Sequence, residues 1–231
     1  MSLDTARKSA CATRTKKSAC ATMLIFGLSA LLSGAVIVDR IAVIAGTHVI
    51  KTSDIDRDIR LTDFLNRAPL DFSVSAKREA AERLITQEII RDEIVSGGYR
   101  RPPEAEAVDL EGQLRRDRFG GSEQRLVEGL HRYGLTEAEL GAQLLWQITV
   151  LQFIDERFRG GVVVTLDEVR DFYDARYVDL RKQYPKDNSF ETLEPKIRTQ
   201  LEGRRINDSF NEWLDQARKN YAVEFKQGAF E

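Results

Sequence analysis

Val36-Ile-Val-Asp-Arg-Ile-Ala-Val-Ile-Ala-Gly-Thr-His-Val-Ile-Lys-Thr-Ser-Asp-Ile-Asp56 is the stretch around which the chain is organised. Ile37, Val38, Ile41, Val43 and Ile44 form a β-branched apolar run, Ala45-Gly46-Thr47 interrupts it, and His48-Val49-Ile50 resumes it. Two such runs split by a glycine-containing turn predict a hairpin over residues 36–51. Thr52-Ser53-Asp54 then offers short side-chain oxygens to the free N–H groups of a starting helix. A lone hairpin is marginal in water. The only other strand-like run, Tyr221 to Lys226, alternates large apolar with small or polar residues and is the expected third strand. It would tie the two ends of the mature chain together.

Upstream, residues 1–22 are polar, small and basic, and Lys8-Ser-Ala-Cys-Ala-Thr13 recurs as Lys17-Ser-Ala-Cys-Ala-Thr22. Met23 to Val38 is apolar apart from serine and glycine, and its 16 residues fall short of the roughly 20 a membrane span needs. A basic flank, an apolar segment of this size and Ser33-Gly34-Ala35 match a secretory signal, with cleavage expected between Ala35 and Val36. Residues 1–35 are therefore read as a signal with a disordered basic leader, and 36–231 as the mature domain. An uncleaved inner-membrane anchor is the alternative.

The 231 residues carry a net charge of −2. Without residues 1–35 the balance is 30 basic to 36 acidic, so the mature part is mildly acidic. With no basic run, nucleic-acid binding is not expected. Cys11, Cys20, Met1 and Met23 all precede the expected cleavage point. The mature part then has no thiolate for a disulfide, a metal or a nucleophile.

Between the hairpin and the closing strand the chain reads as helices over 54–182, then a long helix over 192–220. The first covers Ile55 to Leu65 and the second Ala76 to Ser96, the latter stopped by Gly97-Gly98. Glu104 to Phe119 is a third with a thin apolar stripe. Gly120-Gly121-Ser122 caps a fourth, which carries Leu126 and Tyr133. Thr136 and Glu139 form a capping box for the most apolar helix, which includes Leu140, Leu144, Phe153 and Trp146. Thr165 and Glu168 form another. Pro195 is expected in the first turn of the last helix, where its missing N–H costs nothing. The fold class is mainly α, with a small hairpin completed by a C-terminal strand.

Catalytic constellations are nearly absent. HExxH, P-loop, GxGxxG and GxSxG patterns do not occur. His48 and His131 read as exposed polar side chains. Asp54, Asp56 and Asp58 read as favourable charge at the positive end of a helix, not as a metal site. Glu88 reads as solvent-facing, the alternative being a buried, paired carboxylate. Phe172, Tyr173 and Tyr177 either pack on the last helix or give an apolar surface for an extended peptide, since aromatic groups offer large area at low entropy cost. Leu114, Phe119, Leu126 and Tyr133, on the thin helices, carry the same two readings.

The run V-D-R-I-x-V-I-x-G-x-x-V-I-x-x-S-D-I-D behind an export signal resembles the start of the SurA-type periplasmic chaperone domain. Arg83-Leu-Ile-Thr-Gln-Glu-Ile-Ile90, Arg118-Phe-Gly through Tyr133-Gly-Leu-Thr-Glu137, and Val164-Thr-Leu-Asp-Glu-Val-Arg-Asp-Phe-Tyr173 extend the resemblance over nearly the whole mature chain. It implies a hairpin, several helices and completion by a C-terminal helix and strand. It also implies a periplasmic, ATP-independent holdase for unfolded or extended segments of secreted or outer-membrane proteins, with no cofactor and no nucleotide. Where many members carry a parvulin-type prolyl isomerase domain, this sequence has only a polar link between about Tyr177 and Glu191. Such a domain needs on the order of a hundred residues, so no enzyme activity is expected. A dedicated scaffold holding one folded partner is the alternative function. The closing strand or a helix could also be exchanged between two chains to give a homodimer.

Overall fold

The computed structural model describes residues 39–230. The expected signal, with its cleavage point at Ala35 and Val36, lies outside them. β1 (Ile41–Ala45) and β2 (His48–Lys51) form the antiparallel hairpin, with Val43 opposite Ile50 and Ala45 opposite His48. Gly46 turns it at a φ of +60°. There the Tyr221 ring comes so close that a Cβ would stand 2.8 Å from it. β3 (Val223–Phe225) pairs antiparallel with the other edge of β1, Val43 opposite Phe225, so the strand order is β2-β1-β3. Ala42, Val43 and Ala45 of the central strand are fully buried.

Seven α-helices follow the hairpin: α1 (Thr52–Asn66), α2 (Val74–Ser96), α3 (Glu104–Phe119), α4 (Glu123–Arg132), α5 (Glu137–Phe158), α6 (Leu166–Gln183) and α7 (Phe190–Lys219). Mainly α with a hairpin and a closing strand is thus the observed class. α1 begins earlier than its apolar pattern suggests, and its cap comes from further away. Asp39 accepts from the Ser53 N–H at 3.1 Å and from the Ser53 hydroxyl at 2.5 Å, while Asp54 accepts from the Lys51 N–H at 3.0 Å. The bonds from Ser53 hold the Asp39 carboxyl below its usual range, the Ser53 hydroxyl contributing most. The capping boxes of Thr136 with Glu139 and Thr165 with Glu168 form as read. α7 starts at Phe190, capped by Ser189, so Pro195 falls in the second turn and removes one i→i−4 bond there.

The helices divide the interior. The sheet packs on α1 and α2 through Val43, Ile50, Ile55, Ile59, Ile85 and Ile89, with Leu214 and Ala217 of α7 closing over it. A second core joins α1, α3, α4 and α5 through Phe64, Ala107, Leu126, Leu130, Leu140 and Leu144. A third gathers Ile90, Ile94 and Phe153 with Tyr99, Phe158, Phe210 and Trp213. These three make the body. α6 packs chiefly on the first half of α7, around Val164, Val169, Leu180, Leu193 and Ile197, as a two-helix arm. α7, 30 residues long and so about 45 Å at 1.5 Å per residue, runs from arm to body. Among the described residues, no helix is long and apolar enough to cross a membrane.

Candidate functional site

Several concave regions occur on the body. One, about 860 Å³, opens between β2, α1, α2 and α5. Its walls include Leu61 and Leu84 beside Arg57, Glu88, Arg91 and Trp146. A second, about 640 Å³ and mostly apolar, runs between α2 and α5, where Ile90, Val150 and Leu151 line it. Gln87, Gln143 and Trp146 border both, so cleft and groove adjoin at these residues and together make the α2–α5 channel. The Arg91 guanidinium stacks over the Trp146 ring at 4.8 Å and orients it. Leu151 in the groove is 66% exposed, far more than a core leucine. A third recess, about 580 Å³, has Phe64, Phe119 and Tyr133 in its walls.

Polar pairings brace the walls of the channel. Asp58 is 7% exposed and receives Nε and Nη2 of Arg83 at 2.9 and 2.6 Å. Burial pushes its carboxyl up, and Arg83 opposes that. The residue is therefore not free charge at a helix end: it is one half of a tie between α1 and α2. His48 departs from expectation in the same way. Its Nε2 lies 2.8 Å from Asp92 Oδ1 and its Nδ1 3.4 Å from Glu88 Oε2, so it is half-buried between two carboxylates of α2. Glu88 is accordingly a half-buried, paired group, which also meets Arg91 at 3.4 Å. The Tyr221 hydroxyl donates to Asp92 Oδ2 at 2.6 Å, which binds the start of the closing strand to α2. Burial alone would raise the Asp92 carboxyl, but Tyr221 and His48 together hold it below its ordinary range. Burial and the Asp92 acceptor push the Tyr221 phenol well above its usual value. His131 is exposed. Among the described residues, no group of three or more His, Cys, Asp or Glu is arranged to hold a metal.

The seven residues singled out as client contacts do not converge on one surface. Leu126 is fully buried in the α1–α3–α4–α5 core, so as a surface contact it is corrected: it is a core residue. Leu114, Phe119 and Tyr133 pack against that core half-buried, and Phe119 and Tyr133 also face the third recess. Phe172 and Tyr173 pack within the arm, where the Tyr173 hydroxyl donates to the Asn188 carbonyl at 2.7 Å. Tyr177, 39% exposed, lies edge-on to Tyr173. The channel residues Gln87, Gln143 and Trp146 were not singled out from the sequence. Their signal was faint: Gln143, Trp146 and Gln147 sit at i, i+3 and i+4 on α5, a polar-aromatic face beside a strong apolar stripe.

No family model matches the chain, and no curated protein matches it.

Proposed function

We propose that this protein is an exported, ATP-independent holdase of the SurA type, without a prolyl isomerase domain. It binds unfolded or extended segments of secreted or outer-membrane proteins. The observation that carries the reading is the pair of adjoining recesses between α2 and α5 that share Gln87, Gln143 and Trp146. A carboxamide both donates and accepts, so it can pair with the backbone of any extended peptide regardless of sequence. Trp146 and the exposed Leu151 supply apolar area for side chains of varied shape. Breadth of this kind suits a holdase, because strong discrimination needs polar groups placed against one partner.

The test dilutes a chemically unfolded outer-membrane protein into buffer with and without the purified protein, in the absence of ATP. Suppression of aggregation near equimolar amounts is expected, and Trp146→Ala should weaken it about tenfold, since tryptophan anchors dominate such surfaces. No suppression, from protein with a helical circular-dichroism spectrum, overturns the reading in favour of a scaffold dedicated to one folded partner.

A further inference from the structure

The third recess is built unlike the channel. Its floor is a set of rings: Phe64 and Phe119 stack at 6.2 Å with an interplanar angle of 11°, and Tyr133 meets Phe64 edge-on at 5.6 Å. The rings are held in place. The Tyr133 hydroxyl donates to the Ala68 carbonyl at 2.9 Å, and Arg60 donates to the Tyr133 carbonyl at 2.9 Å. Gly129, inside α4, faces Phe119 so closely that a Cβ would lie 2.8 Å from its ring. A glycine inside a ten-residue helix weakens that helix, and here the gain is room for the floor.

Around the floor stand Arg67, Arg118 and Arg132, with no carboxylate in the lining. All three are exposed, and among the described residues none of them forms an ion pair within 4.0 Å, so their guanidiniums are open to a ligand. Arg118 is anchored by donating to the Leu65 carbonyl at 2.6 Å. An adjoining recess that shares Arg118, Phe119 and Arg132 is also lined by Arg125 and His131, with Glu128 its one acid. Arg67 carries a second mark. It caps α1 at a φ of +58°, while every other described residue with positive φ is glycine. A residue with a Cβ in the left-handed region costs backbone energy that glycine would spare, and such strain collects where a side chain is needed.

The geometry points to a site for the C-terminal carboxylate of a polypeptide whose last residue is aromatic or large and apolar. A chain terminus puts a carboxylate and a side chain on one residue, so the ring lies on the floor while the guanidiniums take the oxygens in forked hydrogen bonds. An internal acidic residue brings charge without the ring. A lipid headgroup presented by a flat membrane would meet a recess rather than a projecting surface. The holdase reading is used only for the source of the peptide.

The test measures fluorescence anisotropy of a labelled hexapeptide ending in Tyr-Phe, as free acid, as C-terminal amide, and with the last residue changed to Ala. The acid should bind at least tenfold tighter than the amide and than the Ala-ended peptide, and more weakly as salt rises. Arg67→Gln with Arg132→Gln, both at exposed positions, should bring acid and amide within twofold of each other. Arg67→Gly should raise Tm by relieving the strained backbone while reducing the preference for the acid. Equal binding of acid and amide, no binding of either, or a preference that survives these variants overturns the site. Binding to phosphatidylglycerol vesicles through the same arginines, without peptide binding, overturns it in favour of a headgroup. The aggregation assay on the same variants separates the two readings. Intact suppression without carboxylate preference defeats the recess alone, and carboxylate binding without suppression defeats the holdase alone.

Discussion

The body and the arm use the same helix α7 and are held together in different ways. In the body, α7 meets α2 and α5 at once: Trp213 packs edge-on to Phe153 at 5.5 Å and lies under the Arg157 guanidinium at 5.2 Å, while Leu214 and Ala217 close the sheet core. In the arm, α7 has α6 as its chief neighbour, and five buried aliphatic residues form the core. Phe172, Tyr173, Tyr184 and Phe190 pack against it only partly buried, and polar bonds add to the hold: Arg198 donates to the Val164 carbonyl at 2.6 Å, and Arg205 pairs with Glu168 and the Val163 carbonyl. Val163 and Val178, 73% and 66% exposed, find no cover. A helix that is one continuous element by its backbone can therefore belong to two units of different stability.

Three measurements break or sharpen that contrast. Phe153→Ala should be the most damaging, because the ring is 1% exposed and touches Tyr99, Phe158 and Trp213. A loss of about 3–5 kcal/mol is expected in urea unfolding, with α2, α5 and the second half of α7 losing hydrogen-exchange protection together. Ile197→Ala in the arm removes a residue 2% exposed, and a loss of about 2–4 kcal/mol is expected by the same cavity argument. It should appear as faster exchange in α6 and the first half of α7 with the body unchanged. Equal loss of protection throughout would mean that arm and body open as one. The smallest effect concerns acid. The Thr165 N–H and then Arg205 hold the Glu168 carboxyl below its ordinary value, as the Thr136 N–H does for Glu139 in the body. A lowered folded pKa gives stability that is present above the unfolded value, about 4.3, and is lost as pH falls through the folded one. Protection of α6 should thus fall as the pH drops below about 4.3. Glu168→Gln keeps an acceptor for the cap but does not titrate, so its α6 should be slightly less protected at neutral pH and indifferent to this acid step. An unchanged acid response in the variant would show that Glu168 is not its source.

What could be read from the sequence was local. Gly46 between β-branched runs, and Thr–x–x–Glu boxes at 136–139 and 165–168, act within three or four residues, so their signals sit side by side in the chain. The closing strand was legible because Tyr221 to Lys226 alternates and a two-stranded hairpin needs a partner. The pairings that brace the channel were not legible. Asp58 with Arg83, and His48 between Glu88 and Asp92, depend on the register of α2 against α1 and β2, which no spacing in the sequence encodes. The stripes of α3 and α4 looked thin for a related reason. Each gives only a few side chains to a core shared with α1 and α5, so Leu126 seemed available for contact when it was the centre of that core. Pro195 was misplaced because Ser189 caps α7 earlier than the apolar pattern begins.

The pairing of Val43 with Phe225 also bears on how the chain assembles over time. The central strand is made early and its second neighbour arrives about 180 residues later. Bringing such distant segments together costs about 4–5 kcal/mol, plus a constant, for unstructured intervening chain, and less once the helices have shortened the path. A polypeptide delivered vectorially, N-terminus first, therefore holds an unfilled sheet edge until Val223–Phe225 emerges. Through that interval β1 exposes free N–H and C=O groups to any extended chain nearby. Docking of β3 is the step that ends this exposure, so it should follow, not lead, the collapse of the helices.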